Sequence, residues 1–191
     1  MCAITLVTGN PGKLAEWRQL LPSGLLIEIA DIDLPEIQSL DSEEIVADKA
    51  RRAYEIVKSP VLVEDVAVGL DKLSGLPGPF MKFFEQKLGQ DALYKLAGKA
   101  NEPVIITCTI GYYDGFEMIF AHGEIKGTVV APRGRNGFGF DPVVVPQGQT
   151  KTFAEMTIEE KNRHSHRALA IQQMVQKLTE LPRQSQTNHQ S

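Results

Sequence analysis

The sequence predicts an α/β fold, and two observations support that prediction. In the first half of the chain, short apolar runs alternate through short connections with segments of helical periodicity, which is the pattern of strand–helix–strand units. In the second half, apolar runs at residues 104–113 and 116–125 flank Asp114-Gly115, a dipeptide that favours a hairpin of antiparallel strands.

The first strand is predicted at residues 4–8, and a polar turn with Gly9 and Asn10 leads from it into a helix that carries Lys13. Such a turn presents backbone N–H groups beside a cation, which suits a phosphate. It is not a kinase-type P-loop, because only two residues separate Gly9 from Gly12 and leucine follows the lysine. An ordinary strand-to-helix connection is the alternative.

A second strand is predicted at residues 25–30, followed by an acidic loop at residues 31–41. The next helix has Lys49 on or beside its apolar stripe, where a lysine either extends its ammonium group to solvent or serves a site. A short buried strand at residues 60–65 then ends in two carboxylates. Trp17, in the first helix, is predicted to be a core residue.

Two helices near residues 80–88 and 91–97 precede the hairpin. Further strands are predicted near residues 127–132 and 142–145. A long helix from about residue 157 to residue 181 ends the pattern, opened by a capping box.

Composition restricts the classes of function. The net charge of −4 argues against a protein that coats nucleic acid. No apolar run reaches membrane-spanning length, no signal peptide is recognised, and Cys2 and Cys108 lack metal-ligand spacing, so we expect a cytoplasmic protein that acts on a small molecule. Residues 1–182 are expected to form a single domain, and residues 183–191 a disordered tail.

The acids Glu64 and Asp65 are the main candidates for catalysis. Carboxylates at the end of a buried strand face the crevice of an α/β sheet, where they can hold magnesium or polarise a water. Glu36, in the acidic loop, could add a second oxygen ligand. The alternative is that these acids cap helices, form turns or are solvated.

Two further groups suit a nucleotide. Phe138 and Phe140 lie among glycines before Asp141, so the rings could stack on a base and the carboxylate accept from its N–H groups, or the rings could simply close the core. Ser165, His166 and Arg167, with Lys161 about one turn earlier, offer donors for carbonyl or phosphate oxygens; a solvated helix face is the alternative.

Taken together, these segments resemble the motifs of the inosine triphosphate pyrophosphatase (HAM1-like) family, in family order over nearly the whole chain. Each motif is weak alone, but the ordered set is specific. The motifs are Thr8-Gly9-Asn10 with Lys13, Asp33-Leu34-Pro35-Glu36, Val63-Glu64-Asp65, Gly75-Leu76-Pro77-Gly78-Pro79 with Lys82, Ala131-Pro132-Arg133-Gly134, Phe138-Gly139-Phe140-Asp141-Pro142, and Glu160-Lys161-Asn162 with Ser165-His166-Arg167.

The resemblance implies a two-lobed single α/β domain with a central long mixed β-sheet flanked by helices, usually a homodimer. It implies hydrolysis of ITP, dITP and XTP to the monophosphate and pyrophosphate with Mg²⁺, for which Mn²⁺ can substitute. It assigns catalysis to Asp65 and Lys13, and metal binding to Glu36, Asp65 and Glu64. Substrate binding falls to Thr8, Gly9, Asn10, Lys13, Lys49, Lys82, Phe138, Gly139, Phe140, Asp141, Lys161, Ser165, His166 and Arg167.

The chain departs from the family pattern at two positions. Val66 stands where the family usually carries Ser or Thr, which removes a hydroxyl near the acids, and Phe140 replaces a commoner Trp or Tyr. Two other functions stay open at this point: a pyrophosphatase for other modified nucleotides, and a nucleotide sensor without catalysis.

Overall fold

The computed structural model describes residues 3–22 and 25–180, and a seven-stranded mixed sheet forms its centre. The strands lie in the order β2-β1-β3-β5-β6-β7, and β4 pairs with β3. β1 pairs in parallel with β2 and β3, and the remaining pairs are antiparallel. The strands are β1 Ile4–Val7, β2 Ile27–Ala30, β3 Val61–Leu70, β4 Pro77–Gly78, β5 Glu102–Tyr113, β6 Met118–Val129 and β7 Val144–Pro146.

Helices cover the sheet, as the α/β prediction requires. They are α1 Pro11–Leu20, α2 Ser42–Val57, α3 Met81–Leu88, α4 Ala92–Ala97, α5 Ile158–Asn162 and α6 His166–Glu180, with short 3₁₀ helices at Asp71–Leu73, Asp141–Val143 and Phe153–Glu155. α2 packs on one face near β1 and β3, and α1 with α6 on the other. α3 and α4 enclose a separate core at the far end of β3 and β5. The two ends of the long strands thus form two lobes.

β3 is longer than the predicted strand. It pairs with β5 along its whole length, so Glu64 and Asp65 lie in its middle and not at its end. Its parallel partner β1 reaches only as far as the pairing of Leu6 with Leu62 and ends at Val7. Both acids therefore lie beside the crevice beyond the end of β1.

The two acids face opposite sides of the sheet, because side chains alternate along a strand. Glu64 accepts a hydrogen bond from the Trp17 indole on the side of α1 and α6. Asp65 accepts one from Ser42 Oγ, at the start of α2, at 3.3 Å. The prediction that Trp17 is a core residue is confirmed, although its N–H has a polar partner.

The predicted hairpin is confirmed, but its loop is longer than two residues. The last pair is Tyr113 with Met118, and Asp114 Oδ1 closes the loop by accepting from the N–H groups of Phe116 and Glu117 at 2.9 and 2.8 Å. The separate strand predicted near residues 127–132 is wrong, because β6 continues through Val129 opposite β5.

The prediction of one long terminal helix is also wrong, because residues 163–165 separate two helices, α5 and α6. Its predicted capping box is confirmed at the start of α5, where Thr157 and Glu160 bond reciprocally. Ser165 Oγ accepts from the Ala168 N–H at 3.1 Å and so caps α6. With no Gly or Pro between residues 162 and 166, helical periodicity continues through the break, and only the capping serine signals it.

Cys108 is buried and free, as predicted. Within the described ranges, no helix is both long and apolar enough to cross a membrane. Cys2 and the predicted tail at residues 183–191 lie outside the described residues.

Candidate active site

A cleft of about 580 Å³ lies where the two lobes meet, and it gathers almost every residue assigned to the site. Ser165 is the exception, since it is buried as the cap of α6. Val66 forms an apolar part of the wall. The assigned residues that line the cleft are Thr8, Gly9, Asn10, Lys13, Glu36, Lys49, Glu64, Asp65, Lys82, Phe138, Gly139, Phe140, Asp141, Lys161, His166 and Arg167.

The turn after β1 is held by its own side chains. Asn10 Oδ1 accepts from the N–H groups of Gly12 and Lys13 at 2.9 and 3.1 Å, and Thr8 Oγ1 accepts from the Asn10 N–H at 3.2 Å. These N–H groups are therefore bonded, not free as the sequence suggested. The cation of the turn is Lys13, whose Nζ lies 3.1 Å from Glu64 Oε1. Burial is the largest single influence and opposes its charge, yet the nearby acids, first Glu64 and then Asp65, contribute to a net rise in the pKa of Lys13.

Glu64 is the centre of a buried ionic network. Arg167 donates from Nε to Oε2 and from Nη2 to Oε1, both at 2.9 Å, while Trp17 and Lys13 supply further partners. Burial alone would raise the pKa of this carboxyl, but Arg167 and Lys13 hold the pKa far below its usual range. Because its oxygens are committed to these donors, Glu64 does not fit the metal-binding role that the resemblance gave it.

Asp65 and Glu36 form the acidic side of the cleft, with Lys49 beside them. Lys49 Nζ lies 2.8 Å from Glu36 Oε1 and donates to the Glu64 carbonyl oxygen at 3.0 Å. Lys49 is buried and bonded, so the interpretation that it extends into solvent is wrong. Burial, and to a lesser degree the charge of Glu36, raise the pKa of Asp65.

These two acids fit a divalent metal that the substrate completes. Mg²⁺ in proteins is usually held by one or two carboxylates together with substrate phosphates and waters. Across residues 3–22 and 25–180 no group of three or more His, Cys, Asp or Glu side chains could hold a metal. Asp65 and Glu36 repel each other through their charges, which a cation between them would relieve.

The opposite end of the cleft contains residues 138–141, called here the aromatic loop. Asp141 Oδ2 fixes the loop by accepting from the Phe138 N–H at 2.8 Å and from Lys161 Nζ at 2.6 Å. The Phe138 ring lies on the start of α1, since a Cβ on Gly12 would be 2.4 Å from its Cδ1. Phe140 instead packs against the core near α3 and α4. Of the two interpretations of these rings, core packing therefore fits Phe140, and base stacking stays open for Phe138.

His166 is a buried imidazole in the wall of the cleft. Neither ring nitrogen has a hydrogen-bond partner within the part of the chain that the structure describes. Burial, then the charges of Arg167 and Lys161, lower the pKa of His166 well below its usual value, so the ring is neutral. A neutral imidazole carries one N–H donor and one acceptor, and both remain available to a ligand.

Glu16 is a site residue that sequence reasoning missed. It is buried on α1, where it bonds Arg167 Nη1 and lies 2.5 Å from Lys161 Nζ. It completes an ionic chain that links the turn after β1 to the aromatic loop and runs Lys13, Glu64, Arg167, Glu16, Lys161, Asp141. Glu16 lies three residues after Lys13 and so on the same face of α1, and this spacing is the feature of the sequence that could have identified it.

Known proteins are similar to this chain in sequence and in architecture. The chain is 42% identical over 175 residues to the inosine triphosphate pyrophosphatase of Schizosaccharomyces pombe, covering 90% of this chain and 93% of that protein. It is 37% identical over 177 residues to a dITP/XTP pyrophosphatase of Methanopyrus kandleri, covering 91% and 94%. The structure of a HAM1 protein from Coxiella burnetii superposes with a TM-score of 0.79 at 29% identity, covering 95% of this chain and all of that one. The model of the Ham1 family matches residues 4–177, and the chain belongs to this family.

Proposed function

We propose that this protein hydrolyses ITP, dITP and XTP to the nucleoside monophosphate and pyrophosphate. The main observation in support of this proposal is that one cleft holds acids and lysines at one end and the aromatic loop at the other. Beside that loop lies the neutral His166, which has no hydrogen-bond partner among the described residues. The names of the S. pombe and M. kandleri relatives support the same substrates.

The triphosphate would lie against the turn after β1. Lys13, Lys49 and Lys82 face this end of the cleft and would neutralise phosphate charge, with Thr8, Gly9 and Asn10 shaping the contact. Water attacks the α-phosphorus, the bond to the bridging oxygen breaks, and pyrophosphate leaves with that oxygen. Positioning and charge neutralisation account for most catalysis of this type, so Lys13 stabilises the leaving group.

Asp65 is the group that orients or deprotonates the attacking water. Burial raises its pKa, which makes it a stronger base than an exposed aspartate. With Glu36 it would also hold a divalent metal, for which we propose Mg²⁺, with Mn²⁺ as a substitute. When bound, that ion supplies further neutralisation of the phosphates.

The base would be recognised at the other end of the cleft. The Phe138 ring offers a face for stacking, and Lys161 lies 5.0 Å from the centre of that ring. His166 would donate its N–H to the 6-oxo oxygen, in a field made positive by Lys161 and Arg167. A 6-amino group presents donors to the same positive field, so ATP would be rejected.

The test is pyrophosphate release from ITP, dITP, XTP, GTP and ATP, with Mg²⁺ and then with Mn²⁺. We expect turnover of the 6-oxo substrates ITP, dITP and XTP and very little of ATP. Tight binding without turnover would establish the nucleotide sensor instead. Preference for a modified nucleotide other than ITP, dITP and XTP would establish the alternative function, a pyrophosphatase for other modified nucleotides.

The cytoplasmic homodimer is also a proposal, supported by the family resemblance. Light scattering on the purified chain would give twice the mass of the 21.1 kDa monomer. A monomer mass at micromolar concentration would contradict it.

A further inference from the structure

Glu85 is an acid in the wall of the cleft that no sequence motif indicated. It lies on α3 one turn after Lys82, so both side chains leave the helix on one side. Its Oε1 is shielded from solvent and has no hydrogen-bond partner among the described residues. Since a buried acceptor without a donor destabilises the free protein, the arrangement favours a ligand that supplies the donor.

Glu85 faces the aromatic loop. A Cβ on Gly139 would lie 3.1 Å from Glu85 Oε1, so the carboxyl group stands directly beside the loop backbone. Asp141, which the sequence indicated as the acceptor for base N–H groups, already accepts from Lys161 and Phe138 through Oδ2. Glu85 Oε1, by contrast, is a carboxylate acceptor to which none of the described residues donates.

The charge around Glu85 is also uncompensated. Burial, and then the carboxylate of Asp141, raise the pKa of Glu85 to about 7. Of the cations at this end of the cleft, Lys161 is already paired with Asp141 and Glu16. Arg167 is paired with Glu64 and Glu16. An N–H donor from a bound base would therefore relieve both the missing hydrogen bond and the unfavourable charge.

We propose that Glu85 is a specificity-determining residue whose carboxylate accepts a hydrogen bond from an N–H on the edge of the bound purine. The inference rests on the proposed function, because it takes the aromatic loop as the base site. Hypoxanthine and xanthine carry such an N–H on the ring, whereas unsubstituted purine does not. A ribose hydroxyl is the competing donor, and ribose is present whichever base is attached.

The experiment compares Glu85→Met, Glu85→Gln and the control Gln86→Met, an exposed neighbour on the same helix. In Glu85→Met the KM for ITP and dITP should rise roughly tenfold with little change in kcat, because a charge-assisted hydrogen bond is lost. Glu85→Gln keeps an acceptor oxygen, so its KM values for ITP and dITP should lie between those of wild type and those of Glu85→Met. Purine riboside triphosphate, used as a competitive inhibitor, should keep its inhibition constant in all three variants.

Stability distinguishes recognition from a structural role. Because the pKa of Glu85 is raised in the folded state, its ionised form opposes folding above about pH 7. Glu85→Met should therefore melt at or above the wild-type temperature at about pH 8. A clear loss of stability would assign a structural role and overturn the proposal.

Three kinetic results for Glu85→Met would also overturn it. The first is an unchanged KM for ITP. The second is an inhibition constant for purine riboside triphosphate that rises as much as the KM for ITP, and the third is a rise in the KM for ITP that the KM for dITP does not share. The last two would assign the contact to ribose. Wild-type protein that releases no pyrophosphate from ITP would overturn the proposed function as well. If wild type releases pyrophosphate from ITP and Glu85→Met has the same KM for ITP, only the role of Glu85 is overturned.

Discussion

Arg167 and Glu64 form a buried ion pair with two parallel hydrogen bonds, each 2.9 Å long, between α6 and β3. Both side chains are almost fully buried, with 2% and 1% of their surfaces exposed. Arg167 also bonds Glu16, so three segments that are distant in the chain meet at one guanidinium group. This pairing fixes the positions of Lys13 and Lys161 at the two ends of the cleft.

Arg167→Ala should destabilise the protein by roughly 3 kcal/mol or more, because it leaves buried carboxylates without their partner. Activity toward every nucleotide should fall, since the network positions both ends of the cleft, and the ITP-to-ATP ratio should narrow because Arg167 adds to the positive field around His166. Urea unfolding and kcat/KM for ITP and ATP measure the two effects. The control is Arg163→Ala, an exposed residue outside the cleft, which should change neither. Wild-type stability in Arg167→Ala would contradict this assignment.

Acid should destabilise the protein through Glu64. Arg167 and Lys13 outweigh burial and hold its pKa far below the ordinary 4.5, so the folded state binds this proton more weakly than the unfolded state. The stabilisation is therefore complete above the unfolded pKa and is lost as pH falls below it. Unfolding free energies measured between about pH 3 and pH 7 should fall more steeply for wild type than for Glu64→Gln. Parallel curves would show that other acids dominate.

His166→Leu should reduce the preference for 6-oxo purines. The leucine removes the N–H donor, so kcat/KM for ITP should fall by about tenfold to a hundredfold while the low value for ATP stays the same or rises. Stability should hold or increase, since buried polar atoms without partners are replaced by apolar ones. His164→Leu, outside the cleft, is the control. An unchanged ITP-to-ATP ratio would exclude His166 from base recognition.

Asp65→Asn should lower kcat by at least about a hundredfold, because the amide cannot act as a base or carry the charge that a metal needs. The fold should remain intact, since burial and the nearby charge of Glu36 already oppose ionisation of Asp65. Pyrophosphate release and thermal unfolding are the measurements, with Asp48→Asn on the exposed side of α2 as the control. Near wild-type turnover would make Asp65 a structural residue.

The sequence by itself determined most of the strands and helices in their order, and the hairpin. These follow from local signals: apolar periodicity, capping residues such as Thr157 and turn dipeptides. The family resemblance of its motifs indicated most residues of the candidate active site, but neither Glu16 nor Glu85. Local periodicity also explains two errors. It continues unbroken through residues 163–165, and it gives no sign that β6 runs on through Val129.

Only the tertiary structure decided what each charged side chain does. Glu64 and Asp65 are neighbours in sequence, but the alternation of β3 sends one to Arg167 and the other to Ser42. Arg167 lies 103 residues from Glu64 in the chain, so no local pattern could pair them. That the ring nitrogens of His166 and Glu85 Oε1 have no hydrogen-bond partner within residues 3–22 and 25–180 is likewise decided by which groups other segments place beside them. Hydrogen bonds and charge pairs depend on distances in space, and the packed sheet sets those distances.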